Sequence, residues 1–347
     1  MAERGNNLLV GAVLGIGALA TLAMMGKSRR QTDFKNKVVL ITGGSRGLGL
    51  VLARSFARER AKVAICARNA EELERAKQDL QSNDAEVFSG ACDVRDQNQV
   101  NNFVEDVINH FGQIDVLVNN AGVIQVGPLE DQTQKDFEDA MAVHFWGAFY
   151  MMRAAIPQMK KQGAGRIVNI SSIGGKVAVP HLAPYCASKF ALVGLSGAMR
   201  VELAKENIFV TTVCPGLMRT GSHVNAIFKG KNQLEFALFS TMNALPFTSV
   251  SAEKAAKKIV EATRRGDAEA IISVQAQAAA KANTLLPELV AEVSALVSQI
   301  LPGAGGIETG HATGKESTSI FAPSFLTATL DKASARNNEL KPGEQIA

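Results

Sequence analysis

Two side chains near the middle of the sequence have the types and the spacing of an acid–base pair. Tyr185 and Lys189 are four residues apart at the start of a predicted helix, so both project from the same helix face. A tyrosine with its ordinary pKa of about 10 exchanges protons poorly at neutral pH, and a neighbouring cation favours its anion. Ser172 follows a predicted strand, at the rim where ligands bind in open parallel sheets. Taken alone, a tyrosine and a lysine at this spacing are more typical of a solvated helix face.

A second feature is a glycine-rich turn at residues 42–49, which read T-G-G-S-R-G-L-G. The turn follows a strand pattern and precedes a helix pattern. Glycines at such a junction let the backbone approach a pyrophosphate, whose charge is held by N–H groups and by the helix dipole. The spacing is G-x-x-x-G-x-G, which differs from the commoner dinucleotide fingerprint. Without its context, the motif would equally suit a simple tight turn.

The elements that must position these residues are visible in the alternation of short apolar runs with longer amphipathic segments. Strands are predicted at residues 38–42, 63–67, 87–91, 116–119, 166–170, 209–213 and 270–273. Helices are predicted to begin near residues 48, 69, 97, 133, 183 and 252, with Asn69 as an N-cap and Glu72 three residues on. Strict alternation implies right-handed crossovers and a parallel sheet covered on both faces. The predicted fold class is one doubly wound α/β domain, at residues 37–274.

The motifs together resemble a known family. The glycine-rich turn, Asn119-Asn120-Ala121-Gly122, Ser172, Tyr185 and Lys189 follow one another as in the short-chain dehydrogenases/reductases, and the resemblance covers residues 37–273. It implies a Rossmann fold and hydride transfer between a nicotinamide and a carbonyl or alcohol. It also implies that Tyr185 exchanges a proton with the substrate oxygen and that Ser172 hydrogen-bonds this oxygen. Lys189 would lower the tyrosine pKa and hold the nicotinamide ribose.

The resemblance extends to the other residues of the coenzyme site. Asp93 would meet the adenine, and Pro215, Gly216 and Thr220 would form the turn over the nicotinamide. For Asn119 and Asn120, a structural role in tying strand ends together is an alternative to coenzyme contact. The predicted coenzyme residues are Thr42, Gly43, Ser45, Arg46, Gly47, Leu48, Gly49, Arg68, Asp93, Asn120, Ala121, Gly122, Tyr185, Lys189, Pro215, Gly216 and Thr220.

One position departs from the family's pattern. Where the family usually has an asparagine before x-x-Gly, this chain has His144, followed by Phe145-Trp146-Gly147. The resemblance implies that this position helps to hold a water between the lysine and solvent. His144 is therefore a candidate catalytic residue that could relay protons, or its backbone carbonyl alone could suffice. A packed histidine with a structural hydrogen bond is an equal alternative.

The preferred coenzyme can be argued from charge. Proteins that select NAD place an acidic residue on the ribose 2′-hydroxyl at the end of the second strand. Here that strand ends in Ala67 and Arg68, with no acid. Arg68 and Arg46 could instead pair with a 2′-phosphate, so NADP(H) is the predicted coenzyme. The alternative is that both arginines are ordinary surface residues.

The stretch from residue 216 to 250 resembles the family's variable substrate lid and is rich in large apolar residues. These are Phe228, Phe236, Phe239, Met242, Leu245 and Phe247. An aromatic-rich lid favours a lipophilic carbonyl or alcohol substrate, although such residues are more often simply core.

Two other functions are alternatives to a dehydrogenase. A coenzyme-binding scaffold or sensor without turnover would more typically lack the tyrosine or the lysine. A nucleotide-sugar epimerase or dehydratase would have G-x-x-G-x-x-G and a longer substrate domain.

Residues 1–36 are predicted to be an N-terminal anchor and basic linker. Residues 8–25 contain no charged side chain and, as a helix, would just cross a bilayer. Lys27, Arg29 and Arg30 follow this run, which places the downstream domain on the cytoplasmic side. A cleaved signal peptide, a helix packed on the domain and a purely cytoplasmic protein are the alternatives.

Charge and cysteine content exclude other classes. Residues 1–36 hold five Lys or Arg and two acidic residues, and so carry most of the net charge of +4. The folded part is nearly neutral, so nucleic acid is not an expected partner. The four cysteines lie far apart, which predicts buried thiols and neither disulfides nor a metal site.

The C-terminal part changes character after residue 274. In residues 275–301, Leu285, Leu289, Val293, Leu296 and Ile300 form one apolar helical stripe. Packing of this stripe on the core or on a partner subunit is expected, since a membrane-surface helix would normally be basic. The tail, residues 302–347, has few large apolar residues and is predicted to be loosely ordered. The resemblance suggests a homodimer or a homotetramer.

Overall fold

The described residues of a computed structural model are 30–305, 310–319, 322 and 327–344. Within them the strands are β1 Val38–Thr42, β2 Lys62–Ala67, β3 Val87–Ala91, β4 Val116–Asn119, β5 Gln125–Val126, β6 Gly165–Ile170, β7 Ile208–Cys214, β8 Leu217–Arg219, β9 Ile227–Lys229, β10 Ser249–Ser251, β11 Glu269–Ile271 and β12 His311–Thr313. Seven of these strands form the main sheet, in the order β11-β7-β6-β4-β1-β2-β3, and all of its pairings are parallel. The predicted doubly wound parallel sheet is confirmed.

The helices are α1 Gly47–Arg58, α2 Ala70–Gln81, α3 Gln97–Phe111, α4 Gln134–Met141, α5 Ala148–Gln162, α6 Ala183–Leu203, α7 Asn232–Ala244, α8 Ala252–Arg265, α9 Val274–Leu285, α10 Pro287–Gln299 and α11 Ala328–Arg336. Apolar residues of α1, α2 and α8 cover one face of the sheet, and those of α3 and α5 cover the other. Because both faces are covered, strands such as β1 and β4 are buried along their whole length.

Local sequence accounts for where these elements begin and end. Each of the seven predicted strands lies within two residues of its expected bounds. The Asn69 side chain accepts a hydrogen bond of 3.1 Å from the Glu72 backbone N–H, as predicted for the start of α2. All four cysteines are buried and free, also as predicted.

Helix α10 differs from the expectation that its apolar stripe packs on the core. No residue of this described helix is buried, and Leu289 and Leu296 are 57% and 62% exposed. The sequence period shows which face of a helix is apolar, but not what covers that face. The prediction that the stripe packs on the core is therefore wrong for this helix. Packing on a partner subunit stays a prediction.

The described part of the tail also differs from its expectation, because it packs on the domain. Strand β12 pairs antiparallel with β9, and Leu330 and Ala333 of α11 are buried. A loosely ordered tail was predicted from its shortage of large apolar residues. Hydrogen bonds of buried polar residues such as Asn337, instead of contacts between large apolar side chains, hold the tail on the domain.

The predicted membrane segment, residues 8–25, lies outside the described residues. Among the helices that the structure describes, none has the length and apolar character needed to cross a bilayer.

Candidate functional site

A cleft of about 720 Å³ opens at the carboxyl ends of the main sheet. It lies where β1 and β4 are neighbours and the chain changes direction across the sheet, the usual ligand position in this fold class. The predicted site residues that line it are Gly43, Ser45, Arg46, Gly47, Leu48, Arg68, Asp93, Asn120, Ala121, Gly122, His144, Tyr185, Lys189 and Thr220. The predicted residues Thr42, Gly49, Ser172, Pro215 and Gly216 are described by the structure but are not part of the lining.

Thr42 and Gly49 belong to the glycine-rich turn and support its conformation without lining the cleft. The Thr42 hydroxyl accepts hydrogen bonds of 3.0 Å from the backbone N–H groups of Asn120 and Ala121. A Cβ at Gly49 would overlap the Gly43 carbonyl oxygen, so only glycine lets the first turn of α1 pack against the loop. Sequence and packing together therefore fix the open loop at the N-terminus of α1.

The two asparagines at the carboxyl end of β4, the last residue of the strand and the one after it, connect neighbouring strand ends. The Asn119 amide donates to the Asn169 side chain at 2.8 Å, and the Asn120 amide donates to the carbonyls of Thr42 and Gly43 at 3.0 and 3.1 Å. The structural role that was weighed for them is therefore present. Asn120 also lines the cleft.

Tyr185, in the first turn of α6, is half-buried at one end of the cleft. The Ser172 side chain forms a hydrogen bond with it that lowers the tyrosine pKa, but burial has the larger effect and raises the pKa of Tyr185 to about 12. The Lys189 Nζ lies 5.5 Å from the centre of the tyrosine ring. The structure thus brings the three predicted catalytic residues together. We call this part of the cleft the tyrosine end.

The direction of the tyrosine pKa is opposite to the one expected from the lysine. Lys189 is itself buried, and burial lowers the pKa of its ammonium to about 7. Its Nζ donates to the Ile170 carbonyl at 2.9 Å, so a backbone oxygen, rather than the phenol, receives the hydrogen bond. Desolvation therefore shifts the pKa of Tyr185 and the pKa of Lys189 more than the electrostatic interaction between the two side chains does.

His144 lies beside Tyr185, with the two ring centres 5.4 Å apart, in a π-helical segment Ala142–Gly147 between α4 and α5. Its Nε2 accepts a hydrogen bond of 3.1 Å from the Val123 N–H. The proton is therefore on Nδ1, which donates to the Ser188 hydroxyl at 2.7 Å. Burial, with a smaller effect of Lys189, lowers the histidine pKa well below its ordinary value. This geometry favours the alternative of a neutral, packed histidine over a proton relay.

The other end of the cleft carries Arg46 and Arg68, and we call it the arginine end. Arg68 is exposed, whereas Arg46 pairs with two carboxylates. The Arg46 Nη1 lies 3.0 Å from Glu72, and its Nε lies 3.3 Å from Glu339 of the tail. Asp93, expected at the adenine, holds Arg95 with both carboxylate oxygens.

Sequence reasoning missed the tail's contribution to the cleft. Glu339 and Asn225 both line the arginine end, and the Asn225 amide donates to the Glu339 carboxylate at 2.7 Å. No motif or period marks these residues, because they interact through single polar contacts between distant parts of the chain.

The six large apolar residues of the expected lid are all described, and none of them lines the cleft. Phe228 and Phe236 are fully buried against each other, with ring centres 5.5 Å apart. These two phenylalanines are therefore core, which is the alternative for such residues. Met242, Leu245 and Phe247 are instead 45%, 37% and 85% exposed. The apolar side chains that do line the cleft include Ile124, Val143 and Met218.

Comparison with known proteins identifies the family. The family model for short chain dehydrogenases matches residues 37–229. A dehydrogenase/reductase SDR family protein 7-like of Anopheles gambiae is 35% identical over 268 residues, covering 76% of this chain and 83% of the relative. A putative oxidoreductase SadH of Mycobacterium tuberculosis is 35% identical over 251 residues, covering 71% and 90% of the two chains.

Solved structures agree. The crystal structure of a short-chain dehydrogenase from Streptomyces avermitilis has 30% sequence identity and a TM-score of 0.65, and the match covers 78% of this chain and 99% of that one. With this fold, a nicotinamide-type cleft and a family match over more than half of its length, the chain belongs to the short-chain dehydrogenase/reductase family of hydride-transferring oxidoreductases.

Proposed function

We propose that this protein is an NADP(H)-dependent oxidoreductase that moves a hydride between the nicotinamide and a lipophilic carbonyl or alcohol. The proposal rests on the tyrosine end, where Tyr185 hydrogen-bonds to Ser172 and lies next to Lys189 in the cleft. This arrangement supports turnover over the alternative of a coenzyme-binding scaffold, because a scaffold needs no acid–base group in its cleft.

The side chains have distinct roles in this proposal. A phenol with a pKa near 12 is fully protonated at neutral pH, which suits donation of its proton to a carbonyl oxygen as hydride arrives at the carbon. In the reverse direction, Tyr185 accepts the alcohol proton. The oxidised nicotinamide, when bound, supplies a positive charge that favours the phenolate, and Lys189 adds to this charge when it is protonated.

The coenzyme preference rests on the arginine end. Arg46 and Arg68 both line the cleft, and β2 ends in Ala67 without an acidic side chain. A guanidinium can grip a phosphate with two hydrogen bonds, so both arginines suit a 2′-phosphate. The lipophilic substrate class rests on the apolar side chains in the cleft lining, among them Ile124, Val143 and Met218.

The test is a screen of the purified protein with NADPH and NADH against steroid, retinoid, fatty and small aromatic carbonyls, followed at the nicotinamide absorbance. We expect oxidation of NADPH with at least one lipophilic carbonyl. Replacing Arg46 and Arg68 by alanine should weaken NADPH binding much more than NADH binding. Equal losses for both coenzymes would contradict the proposed preference, and no turnover with any carbonyl would favour the scaffold.

A further proposal concerns the membrane. Residues 8–25 form an uncleaved membrane anchor, and the catalytic domain lies on the cytoplasmic side. The support is their apolar sequence and the basic residues that follow them. Fractionation should find the full chain in carbonate-washed membranes and a chain starting at Gln31 in the supernatant. Recovery of the full chain in the supernatant would contradict the anchor.

The protein also forms a homodimer or homotetramer, and the exposed apolar stripe of α10 is the surface that favours association. Light scattering of the chain starting at Gln31 should give a mass of two or four subunits. A monomer at all concentrations would contradict this assembly.

A further inference from the structure

The C-terminal tail reaches back to the coenzyme loop through three consecutive residues, Asn337, Asn338 and Glu339. The Asn337 carbonyl accepts a hydrogen bond of 2.9 Å from the Gly47 N–H. The Asn338 amide donates to the carbonyls of Ser45 and Glu72 at 2.8 and 3.0 Å. Each residue thus contacts the glycine-rich turn or the start of α2, and we call the three residues the tail clasp.

The other side chains around the clasp hold it in place from the domain. The Asn337 amide donates to the Thr220 carbonyl at 3.0 Å, and Arg54 donates to the Asn337 side chain at 3.3 Å. The Arg75 Nε donates to the Asn338 side chain at 2.8 Å. These hydrogen bonds fix the position of the backbone at Asn337 and Asn338. They therefore also fix the position of the next residue, Glu339.

The Glu339 side chain is only 2% exposed and lies within the arginine end. One carboxylate oxygen lies 3.3 Å from the Arg46 Nε and accepts a 2.7 Å hydrogen bond from Asn225. The other lies where a Cβ on Gly47 would come within 2.5 Å of it. The tail therefore brings a negative group against the positive end of α1 and against the arginine that a phosphate would use.

Arg46 is divided between two carboxylates. Its Nη1 serves Glu72 and its Nε serves Glu339, so two of its donor nitrogens are engaged. A 2′-phosphate needs such donors for a bidentate grip, and it would bring about two more negative charges next to those carboxylates. Repulsion between these carboxylates and the phosphate weakens binding of a 2′-phosphorylated coenzyme, because like charges that are close together and shielded from water repel each other strongly.

From these contacts we infer that Glu339 is a coenzyme-specificity residue supplied by the tail. Its carboxylate competes with a 2′-phosphate for Arg46 and thereby weakens NADPH binding relative to NADH binding. The inference rests on the proposed function, in which the cleft binds a nicotinamide coenzyme with Arg46 at its phosphate-reading end. It adds that the strength of the NADP(H) preference is set by a side chain outside the matched family region, residues 37–229.

The test compares coenzyme dissociation constants, measured by titration of NADPH and NADH fluorescence with full-length protein and no substrate. The titrations are made at pH 8, above the pKa of about 7 to which burial raises the Glu339 carboxyl, so that wild type carries the charge. In Glu339→Gln and Glu339→Ala the competing charge is gone. We expect both variants to bind NADPH about tenfold more tightly, while NADH binding changes by less than about threefold. Glu344→Gln is the matched control, because Glu344 is another tail carboxylate that pairs with a lysine, Lys315, and does not line the described cleft. It should leave both constants unchanged.

The outcomes separate this inference from the proposed function. Wild-type protein that binds neither coenzyme would contradict the proposed function itself. Wild-type protein that binds both, with an unchanged ratio of constants in both Glu339 variants, would overturn the specificity role alone. An equal gain for NADPH and NADH would also overturn it, because it would mean that the tail only obstructs the cleft. Thermal unfolding of each variant establishes that the folded protein is being compared.

Discussion

The tyrosine end and the arginine end of the cleft are held by different parts of the chain. At the tyrosine end, Ser172, Tyr185 and Lys189 come from the loop after β6 and from α6, within 20 residues of one another. At the arginine end, Arg46 after β1 contacts Glu339, from the segment that follows α11. The carboxyl ends of β6 and β2 are three strand spacings apart, roughly 14 Å, so the two ends are separate places in one cleft.

The two ends therefore differ in which parts of the chain supply their residues. The tyrosine end lies within the matched family region and is built from neighbouring elements. The arginine end includes a carboxylate from outside that region, and it can therefore change without disturbing the sheet. The predictions below test whether the two ends are independent in this sense.

The largest expected effect is on turnover, from Tyr185→Phe. Loss of the phenolic proton should lower kcat by at least roughly a hundredfold, the usual size of a lost general acid. The variant should still bind the coenzyme, because the arginine end is untouched. Tyr150→Phe is the matched control, since Tyr150 is the other tyrosine and stacks on Trp146. Activity of Tyr185→Phe within a few-fold of wild type would remove the tyrosine end from catalysis.

The next effect is a pH dependence of stability that comes from Glu339. Burial raises the pKa of this carboxyl to about 7, although Arg46 and the Asn225 amide lower it; Glu72 raises it and Lys315 lowers it further. The folded protein therefore binds this proton more tightly than the unfolded chain does. The stabilisation is complete below the ordinary pKa of about 4.5 and is lost as pH rises through 7.

Glu339→Gln stays neutral, so its stability relative to wild type should increase by up to about 3 kcal/mol between pH 4.5 and pH 8. Urea unfolding at several pH values measures this difference. In Glu344→Gln no such increase should occur, because the hydrogen bonds from the Lys341 N–H and from Lys315 lower the Glu344 pKa. A flat difference for Glu339→Gln would show that the clasp does not bury a charge.

The smallest expected effect is at the tyrosine end, from Ser188→Ala. The substitution removes the acceptor of the His144 Nδ1–H, and a buried donor without a partner costs about 1 to 3 kcal/mol of unfolding free energy. Ser55→Ala is the control, because its hydroxyl only bonds to the Val51 carbonyl of its own helix. If the two variants unfolded at the same urea concentration, the histidine would not depend on this hydrogen bond, and the relay alternative would regain support.

The parallel sheet could be predicted from the sequence alone. So could the closeness of Tyr185, Lys189 and Ser172 to one another. Strand runs and helix periods are local signals, and the motifs lie at the ends of strands whose order follows from right-handed crossovers. The lid aromatics show the limit, because apolar residues that pack together and apolar residues that line a cleft have the same composition. The tyrosine pKa shows a second limit, since its direction depends on how deeply Tyr185 and Lys189 are both buried.

The tail clasp could not be predicted, for a different physical reason. Its contacts are hydrogen bonds from Asn337 and Asn338 to backbone groups, and backbone groups are the same at every residue. Such contacts leave no periodicity or complementary spacing in the sequence. A shortage of large apolar residues indicates little hydrophobic stabilisation, but it does not exclude order of this kind.

The clasp also fixes an order of events during synthesis. The hydrogen bond between Asn338 and Ser45 joins residues 293 positions apart, and the Arg54 bond to Asn337 spans 283. Every strand of the main sheet leaves the ribosome before these tail residues do, and domains begin to fold as they emerge. The glycine-rich turn and all of its neighbouring strands are therefore synthesised before Glu339 is available to contact Arg46.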